Sequence, residues 1–558
     1  LIYHLKLFEM KYSIKLLVCI FAVLNIASAN ACTNFIVGKN ASADGSVLIS
    51  YAADNYGMYG FLYHRSASKH NKGEFRNVRY WDTNQFLGKI PEAPITYNVV
   101  GNINENQVAI AETTFGGREE LVDTTATMDY GSMIYIALER SRTAREAIKI
   151  MTDLVETYGY NSEGETFTIA DKNEAWIMEM VGKGNVEKGA VWVAVRVPDD
   201  CICAHANQSR IHKFNMKDKD NVMYAKDVVK FARKQGYFQG KDEDFDFANA
   251  YCPATFSGLR FCEARVWSFF NRWSEGMDKY LSYASGQNLN AEPMPLFIKP
   301  NKKLSASDVM NSMRDHYEGT PFDTTVDAGS GVYKAPYRPT PLSWKYNGKE
   351  YFNERPVSTQ QSGFVFVAQL RSALPNAVGG ILWFANDDAN MVPFTPMYCC
   401  MTKSPECFSE KTADAVTFSW KSAFWICNWV SNMVYPRYSM MFGDLEKLRN
   451  KLENSYLENQ GEIEKEAQRL YQQDSRKAIV FLTNYSDTVA QSMVKQWKKL
   501  GEFLVVKYND QAVKPEKNGR FLRTKEGLGE TVVRPGFSEE YKKVIVNETR
   551  DKYLVPSK

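Results

Sequence analysis

Hydrophobic positions come in short blocks through most of the chain and in long helical stripes near its end. Cys32-Thr33-Asn34-Phe35-Ile36-Val37-Gly38 reads as a short strand, Lys39 to Ser46 as a turn carrying Asp44-Gly45, and Val47-Leu48-Ile49-Ser50-Tyr51 as the returning strand. Asp54 follows that strand and can return near its start. Residues 76–81 and 94–100 read as further strands. Asn106 to Glu112 runs into Thr113-Thr114-Phe115-Gly116-Gly117-Arg118, a strand emptying into hydroxyls and paired glycines. Such an end offers closely approaching backbone and several donors beside a substrate. A glycine-rich turn with surface hydroxyls accounts for it equally well.

From Tyr130 to Tyr158 the apolar spacing turns helical, with Ile134, Ala137, Leu138, Ala144, Ala147, Ile148, Met151 and Val155 marking the faces of two helices. Residues 165–171 and 174–180 then alternate as an antiparallel hairpin around Lys172-Asn173, and 192–197 is another strand. Helical character is expected over 218–239, over the aromatic stretch 262–273 and over 306–317. The Gly/Pro-rich interval through Pro341 reads as loop over the body. Residues 362–369 and 379–386 read as buried strands. Helices set between blocks of hairpin strands predict a layered antiparallel α+β body rather than a parallel nucleotide-binding fold. After about residue 400 the composition changes. Residues 418–435 are aromatic and apolar, and 441–475 and 477–499 predict a helical hairpin packed on the body, since the regular heptad of a free coiled coil is missing. The division expected is a leader over 10–31, a catalytic domain over 32–400 and a mainly helical region over 401–558.

The start of the chain changes the picture most. Met10 is followed by Lys11 and Lys15, by the apolar run Leu16 to Leu24, and by Ala29-Asn30-Ala31. A basic start, a short apolar core and a small-x-small end make a secretory signal, 22 residues long from Met10, with residues 1–9 upstream of its start. The apolar core is too short for a membrane span. Cleavage after Ala31 leaves Cys32 first. Lipidation of Cys32 is a lesser alternative, because lipoprotein signals want a Leu-like residue where Ala29 stands, and a different cut site is another. The product is expected outside the cytoplasm, periplasmic or extracellular.

Of the 558 residues, 527 then remain, enough for a large core and more than one domain. Residues 1–31 carry Lys6, Lys11 and Lys15 against Glu9, and their removal takes the formal charge of +3 to +1. No basic tail or run suggests nucleic acid. Nine of the ten cysteines lie beyond the leader, and Cys252 with Cys262 is a plausible local disulfide in an exported chain. No His is spaced with these cysteines as a metal set. His205 invites a Cys–His reading, but a core histidine held by hydrogen bonds fits better.

A first-position cysteine carries a thiol and a free α-amine on one residue. The amine has a reference pKa near 7.7–8.0 and can take the thiol proton, then protonate a departing amine. Asp54 could orient the resulting ammonium. Asn207, a neutral donor in Ala204-His205-Ala206-Asn207, could hold an oxyanion, with a backbone N–H of the 113–117 segment. A structural cysteine beside a signal peptide is the competing reading.

The segments Cys32 to Gly38, Asp44-Gly45-Ser46, Glu112 to Arg118, Ala206-Asn207, Arg314 to Asp323 and Gly379 to Trp383 together resemble the secreted branch of the C69 dipeptidases, a family of N-terminal nucleophile hydrolases. The resemblance covers approximately residues 32–400. It implies a four-layer αββα sandwich, here with a C-terminal helical extension, and cleavage of dipeptides or short peptides without metal or other cofactor. It matches Cys32 to the nucleophile, Asp54 to the acidic position after the first hairpin and Asn207 to the oxyanion-side Asn, with Glu112, Thr113, Thr114 and Arg118 on the substrate side. The family often has an Arg in the segment just before that acid; here the segment reads Tyr51-Ala52-Ala53-Asp54, and Arg118 or Arg210 could replace it. An N-acyl amide hydrolase with the same centre and a nonenzymatic secreted binding protein are the alternatives; assembly as a homo-oligomer is compatible with either.

Overall fold

A computed structural model describes residues 32–556. The expected first hairpin is formed by β1 (Asn34–Val37) and β2 (Val47–Asp54), paired Ile36 to Ile49 and Val37 to Leu48. Then come β3 (Ala109–Gly116), α1 (Tyr130–Arg140), α2 (Ala144–Tyr158), β4 (Gly164–Ala170), β5 (Ala175–Gly182), β6 (Ala190–Arg196) and β7 (Ile202–His205). After α3 (Ala264–Trp273) and α4 (Ala306–Ser312) follow β8 (Ser362–Leu370), β9 (Gly380–Asn386) and β10 (Thr395–Tyr398). The chain closes with α5 (Ala423–Val434), α6 (Tyr438–Gln473) and α7 (Ser475–Tyr508), and a mostly exposed tail.

Two antiparallel sheets result. One runs from a short strand, Phe297–Ile298, through β7, β1, β2, β8 and β9 to β10; the other runs from Val222–Tyr224 through β6, β5, β4 and β3 to three short strands near the chain start. Side chains of successive strand residues point to opposite faces, and β5 shows the result. Trp176, Met178 and Met180 join the core under α1 and α2, whereas Ala175, Ile177 and Val181 join the core between the sheets. The sheets meet where β1 and β2 lie against β3 and β4, and α3 and α4 cover the far side of the first sheet near β7, β2 and β8. The chain is therefore a mixed α/β fold with a C-terminal helical extension.

That extension is the expected helical hairpin, longer at both ends, with Asp474 between the helices accepting the Arg476 amide. It docks on the first sheet by polar as well as apolar contacts. Ser486 accepts the Tyr398 amide at 3.4 Å, Arg371 grips Glu464 through two bonds of 2.6 and 2.8 Å, and Arg314 pairs with Glu453. Trp497, Leu482 and Ala490 are buried in the same layer.

Three expectations change. In 218–239 only Val228–Lys234 is helical, because Val222–Tyr224 extends the second sheet by pairing with Val193 to Val195. Over 306–317 the helix stops at Ser312, and Tyr317 takes a left-handed φ of 67°. The Cys252–Cys262 bridge is not formed. All nine described cysteines are free and buried; the Cys252 sulfur receives Gln208 Nε2 at 3.4 Å, and Cys262 sits in a helical turn running into α3. Within the loop beyond Pro341, Ser343–Tyr346 and Lys349–Phe352 make an exposed hairpin about Asn347-Gly348, both at positive φ. The leader lies outside the described residues.

Candidate functional site

Cys32 enters the first sheet immediately before β1. Its neighbour Thr33 bridges to Ala52, and β2 and β7 flank β1 on either side, so the cysteine backbone is fixed where the two sheets face each other. The Cys32 side chain is buried. Its sulfur lies 3.7 Å from the Tyr51 hydroxyl and 3.6 Å from Oε1 of Glu112, and the Tyr51 hydroxyl donates to that same oxygen at 2.5 Å. Asn34 donates to the Glu112 carbonyl at 2.6 Å, tying β1 to β3 beside the thiol.

Burial pushes the Cys32 thiol well above its ordinary range, and the charges of Glu112 and Asp54 act in the same direction. A backbone N–H of Asp54 and the Tyr51 hydroxyl oppose them. A thiol so placed stays protonated near neutrality, so its use as a nucleophile requires a proton acceptor beside it.

Arg265, fully buried on α3, organises the other side. Nη1 donates to the Cys32 carbonyl at 2.6 Å and to the Thr33 hydroxyl at 2.7 Å; Nη2 donates to the Ala206 carbonyl at 3.0 Å and to Oδ1 of Asn207 at 2.9 Å. Asn207 has a left-handed φ of 66° and donates through Nδ2 to the Thr114 carbonyl at 2.6 Å. Its amide is thereby oriented between α3 and the end of β3, where Gly116 and Gly117 turn the chain at φ of 72° and 78°. Asp54, fully buried at the end of β2, receives Arg355 on one oxygen and Ser362 on the other, each at 2.5 Å. Burial raises its carboxyl, while Arg355 chiefly and Ser362 hold it down.

Of the residues singled out in the sequence, Cys32, Asp54, Glu112 and Asn207 are drawn into this one group. The Thr113 hydroxyl bonds to Nδ1 of His205 and Thr168 to Nε2, both at 2.7 Å, which gives His205 the satisfied core setting expected of it. Thr114 contributes its carbonyl to Asn207 and its hydroxyl to Glu165. Arg118 donates to the Ala250 carbonyl at 2.8 Å and stacks on Tyr237, and Arg210 pairs with Glu263. The structure gives neither a contact with Tyr51, Glu112 or Cys32 among the described residues. The cations that reach the group are Arg265 and Arg355. Arg265 carried a signal in the sequence, an arginine inside the apolar run Ala264 to Phe270, where only a set of buried acceptors can hold it. Arg355 and Glu165 carried none. Among the described residues no three His, Cys, Asp or Glu side chains converge in a metal-holding group, and no helix is long and apolar enough to cross a membrane.

The model of one peptidase family, C69, matches residues 31–451. The chain belongs to peptidase family C69. The match begins next to Cys32 and ends within α6, past residue 400. The C69 chain is 27% identical over 427 residues to a probable dipeptidase of Latilactobacillus sakei, covering 73% of this chain and 82% of that protein. It is 25% identical over 502 residues to probable dipeptidase B of Streptococcus pyogenes serotype M1, covering 85% and 93%. It is 23% identical over 441 residues to dipeptidase A of Lactobacillus helveticus, covering 74% and 84%.

Proposed function

We propose that this protein is an exported dipeptidase of the N-terminal nucleophile class, activated by cleavage between Ala31 and Cys32. The observation that carries the reading is the Arg265 fork. It fixes the carbonyl of Cys32 and the amide of Asn207 to one guanidinium, and so sets a would-be first residue against a neutral hydrogen-bond donor. The names of the relatives support peptide hydrolysis as the reaction. The two facing sheets with helices outside each support an αββα sandwich, to which the helices after residue 400 are added.

In this reading the Cys32 α-amine takes the Sγ proton, and the thiolate attacks the carbonyl carbon of the peptide bond. The Asn207 side-chain amide serves as a donor to the developing oxyanion. The ammonium returns its proton to the leaving nitrogen as the C–N bond breaks, leaving a thioester on Cys32. The same amine then takes a proton from water, whose oxygen attacks the thioester carbon, and the first amino acid leaves as the free acid with the thiol restored. Asp54 keeps lone pairs beyond those used by Arg355 and Ser362, and orients the ammonium. Cleavage of the leader is required because an acylated nitrogen cannot serve as the base.

The test is hydrolysis of a dipeptide panel by the exported, processed protein and by Cys32→Ser. The processed protein is expected to release free amino acids, and Cys32→Ser to lose about 10³-fold or more of kcat/KM. Unchanged turnover by Cys32→Ser would sink the mechanism.

A further inference from the structure

Beside Cys32 stand two carboxyl groups with no counter-charge among the described residues. On the paired strands β3 and β4, Glu112 is opposite Phe167 and Thr114 opposite Glu165, which makes Glu112 and Glu165 diagonal neighbours. Both are buried. Glu112 uses Oε1 for Tyr51 and the thiol, and Glu165 uses Oε1 for Thr114. Oε2 of Glu112 and Oε2 of Glu165 are buried with no hydrogen-bond donor from any other described residue; the two carboxyls hydrogen-bond to each other, which takes a shared proton, and neither has an ion-pair partner among the described residues. Asp54, the third buried acid of the site, has Arg355. A buried carboxylate left unpaired is costly, so a cation that enters this place and supplies N–H donors is bound strongly.

The distances say which cation. The nitrogen of a peptide's first residue is two bonds, each about 1.5 Å, from the carbonyl carbon that a nucleophile attacks. With that carbon at Cys32 Sγ, a carboxyl oxygen 3.6 Å from the sulfur is within reach of the free α-ammonium. We propose that Glu112, oriented by Tyr51 and assisted by Glu165, binds the free α-ammonium of the residue whose carbonyl is attacked, and so confines the enzyme to substrates with an unblocked amino terminus. This rests on Cys32 as nucleophile. It also gives Tyr51 a part: a neutral donor fixes Glu112 and leaves its charge for the substrate.

Protonation behaves accordingly. Burial raises Glu112 to about 7, and burial together with the Glu112 charge raises Glu165 well above its ordinary value. The empty pair retains a proton near neutrality. An arriving ammonium favours the ionised form and expels it, so KM for a dipeptide rises as pH falls below about 7.

The experiment compares alanyl-leucine with propionyl-leucine, which differ only by the amino group, on the processed enzyme. Wild type is expected to favour alanyl-leucine by about 10³-fold or more in kcat/KM, because a site built for a donor rejects the analogue lacking it. Glu112→Gln should bring that ratio below about 10, through loss on alanyl-leucine rather than gain on propionyl-leucine. Glu165→Gln, a milder change, should retain the preference and flatten the rise of KM at low pH. A wild-type ratio near one, or a ratio unchanged in Glu112→Gln, overturns the proposal. If wild type hydrolyses neither compound, the dipeptidase reading fails on its own. Protection of Cys32 from iodoacetamide then decides the ammonium site: protection by alanyl-leucine alone upholds it, and equal or absent protection by the two overturns it.

Discussion

Asn207 turns its Oδ1 toward Arg265, 2.9 Å from Nη2, while Nη1 of the same guanidinium holds the Cys32 carbonyl at 2.6 Å. One side chain from α3 thus ties the proposed nucleophile to the amide assigned to the oxyanion. Lysine presents a single ammonium and cannot serve four acceptors in this planar fork. Arg265→Lys is expected to lower kcat/KM by roughly 10²-fold while leaving KM within a few-fold. Steady-state kinetics on a dipeptide check it, and a change confined to KM would contradict the assignment.

Asp54 and Arg355 form a buried ion pair that joins the end of β2 to the segment entering β8. Removing one partner strands the other. Arg355→Met should cost about 3–5 kcal/mol of unfolding free energy, and adding Asp54→Asn should recover part of that loss. Chemical denaturation of the two single variants and the double variant measures the coupling; additive losses would show that the pair is not held together in solution.

His205 has the setting of a core residue. It lies between Thr113 and Thr168, and burial chiefly, with Arg210 and Arg265, pushes its ring well below the ordinary histidine range. Glutamine can replace both hydrogen bonds. His205→Gln is expected to keep kcat/KM within about 5-fold of wild type; a loss comparable to that of Cys32→Ser would give His205 a direct part in catalysis.

Much of this architecture was legible in local patterning. The β1–β2 hairpin, the helix pair α1 and α2, the β4–β5 hairpin and the C-terminal helical hairpin all have their apolar spacing and turn residues within a few dozen positions. Val222–Tyr224 was not legible, because an edge strand owes its form to backbone bonds with β6 rather than to its own side chains. The site shows the same divide. Cys32 stands out through its place after the expected leader, and Asn207 and Glu112 through motif segments. Arg355 reaches Asp54 across 301 residues of chain, and Glu165 meets Glu112 only through strand register. No local pattern encodes either contact. Arg118, with its side chain on Tyr237 and Ala250, shows the converse: a residue adjacent to a motif whose side chain leaves in another direction.

The helical extension carries its own pH dependence. Asp387 follows β9 at a φ of 75° and accepts the Ser431 hydroxyl of α5 at 2.6 Å. Burial, with the neighbouring Asp388 charge, raises its carboxyl to about 7. A carboxyl raised in the folded state contributes stability below its unfolded pKa and loses that contribution as pH rises through the folded one. The unfolding free energy of Asp387→Asn minus that of wild type is therefore expected to grow by about 3 kcal/mol between pH 5 and pH 8. Denaturant titrations at the two pH values give this difference, and a value that does not change with pH would show Asp387 ionised throughout.

In the proposed mechanism cleavage before Cys32 makes the enzyme, by giving one residue both nucleophile and base. The decisive measurement is N-terminal sequencing of the active, exported protein. A single sequence beginning Cys-Thr-Asn-Phe-Ile-Val-Gly is expected. Full dipeptidase activity in protein that retains even one residue ahead of Cys32 would contradict it.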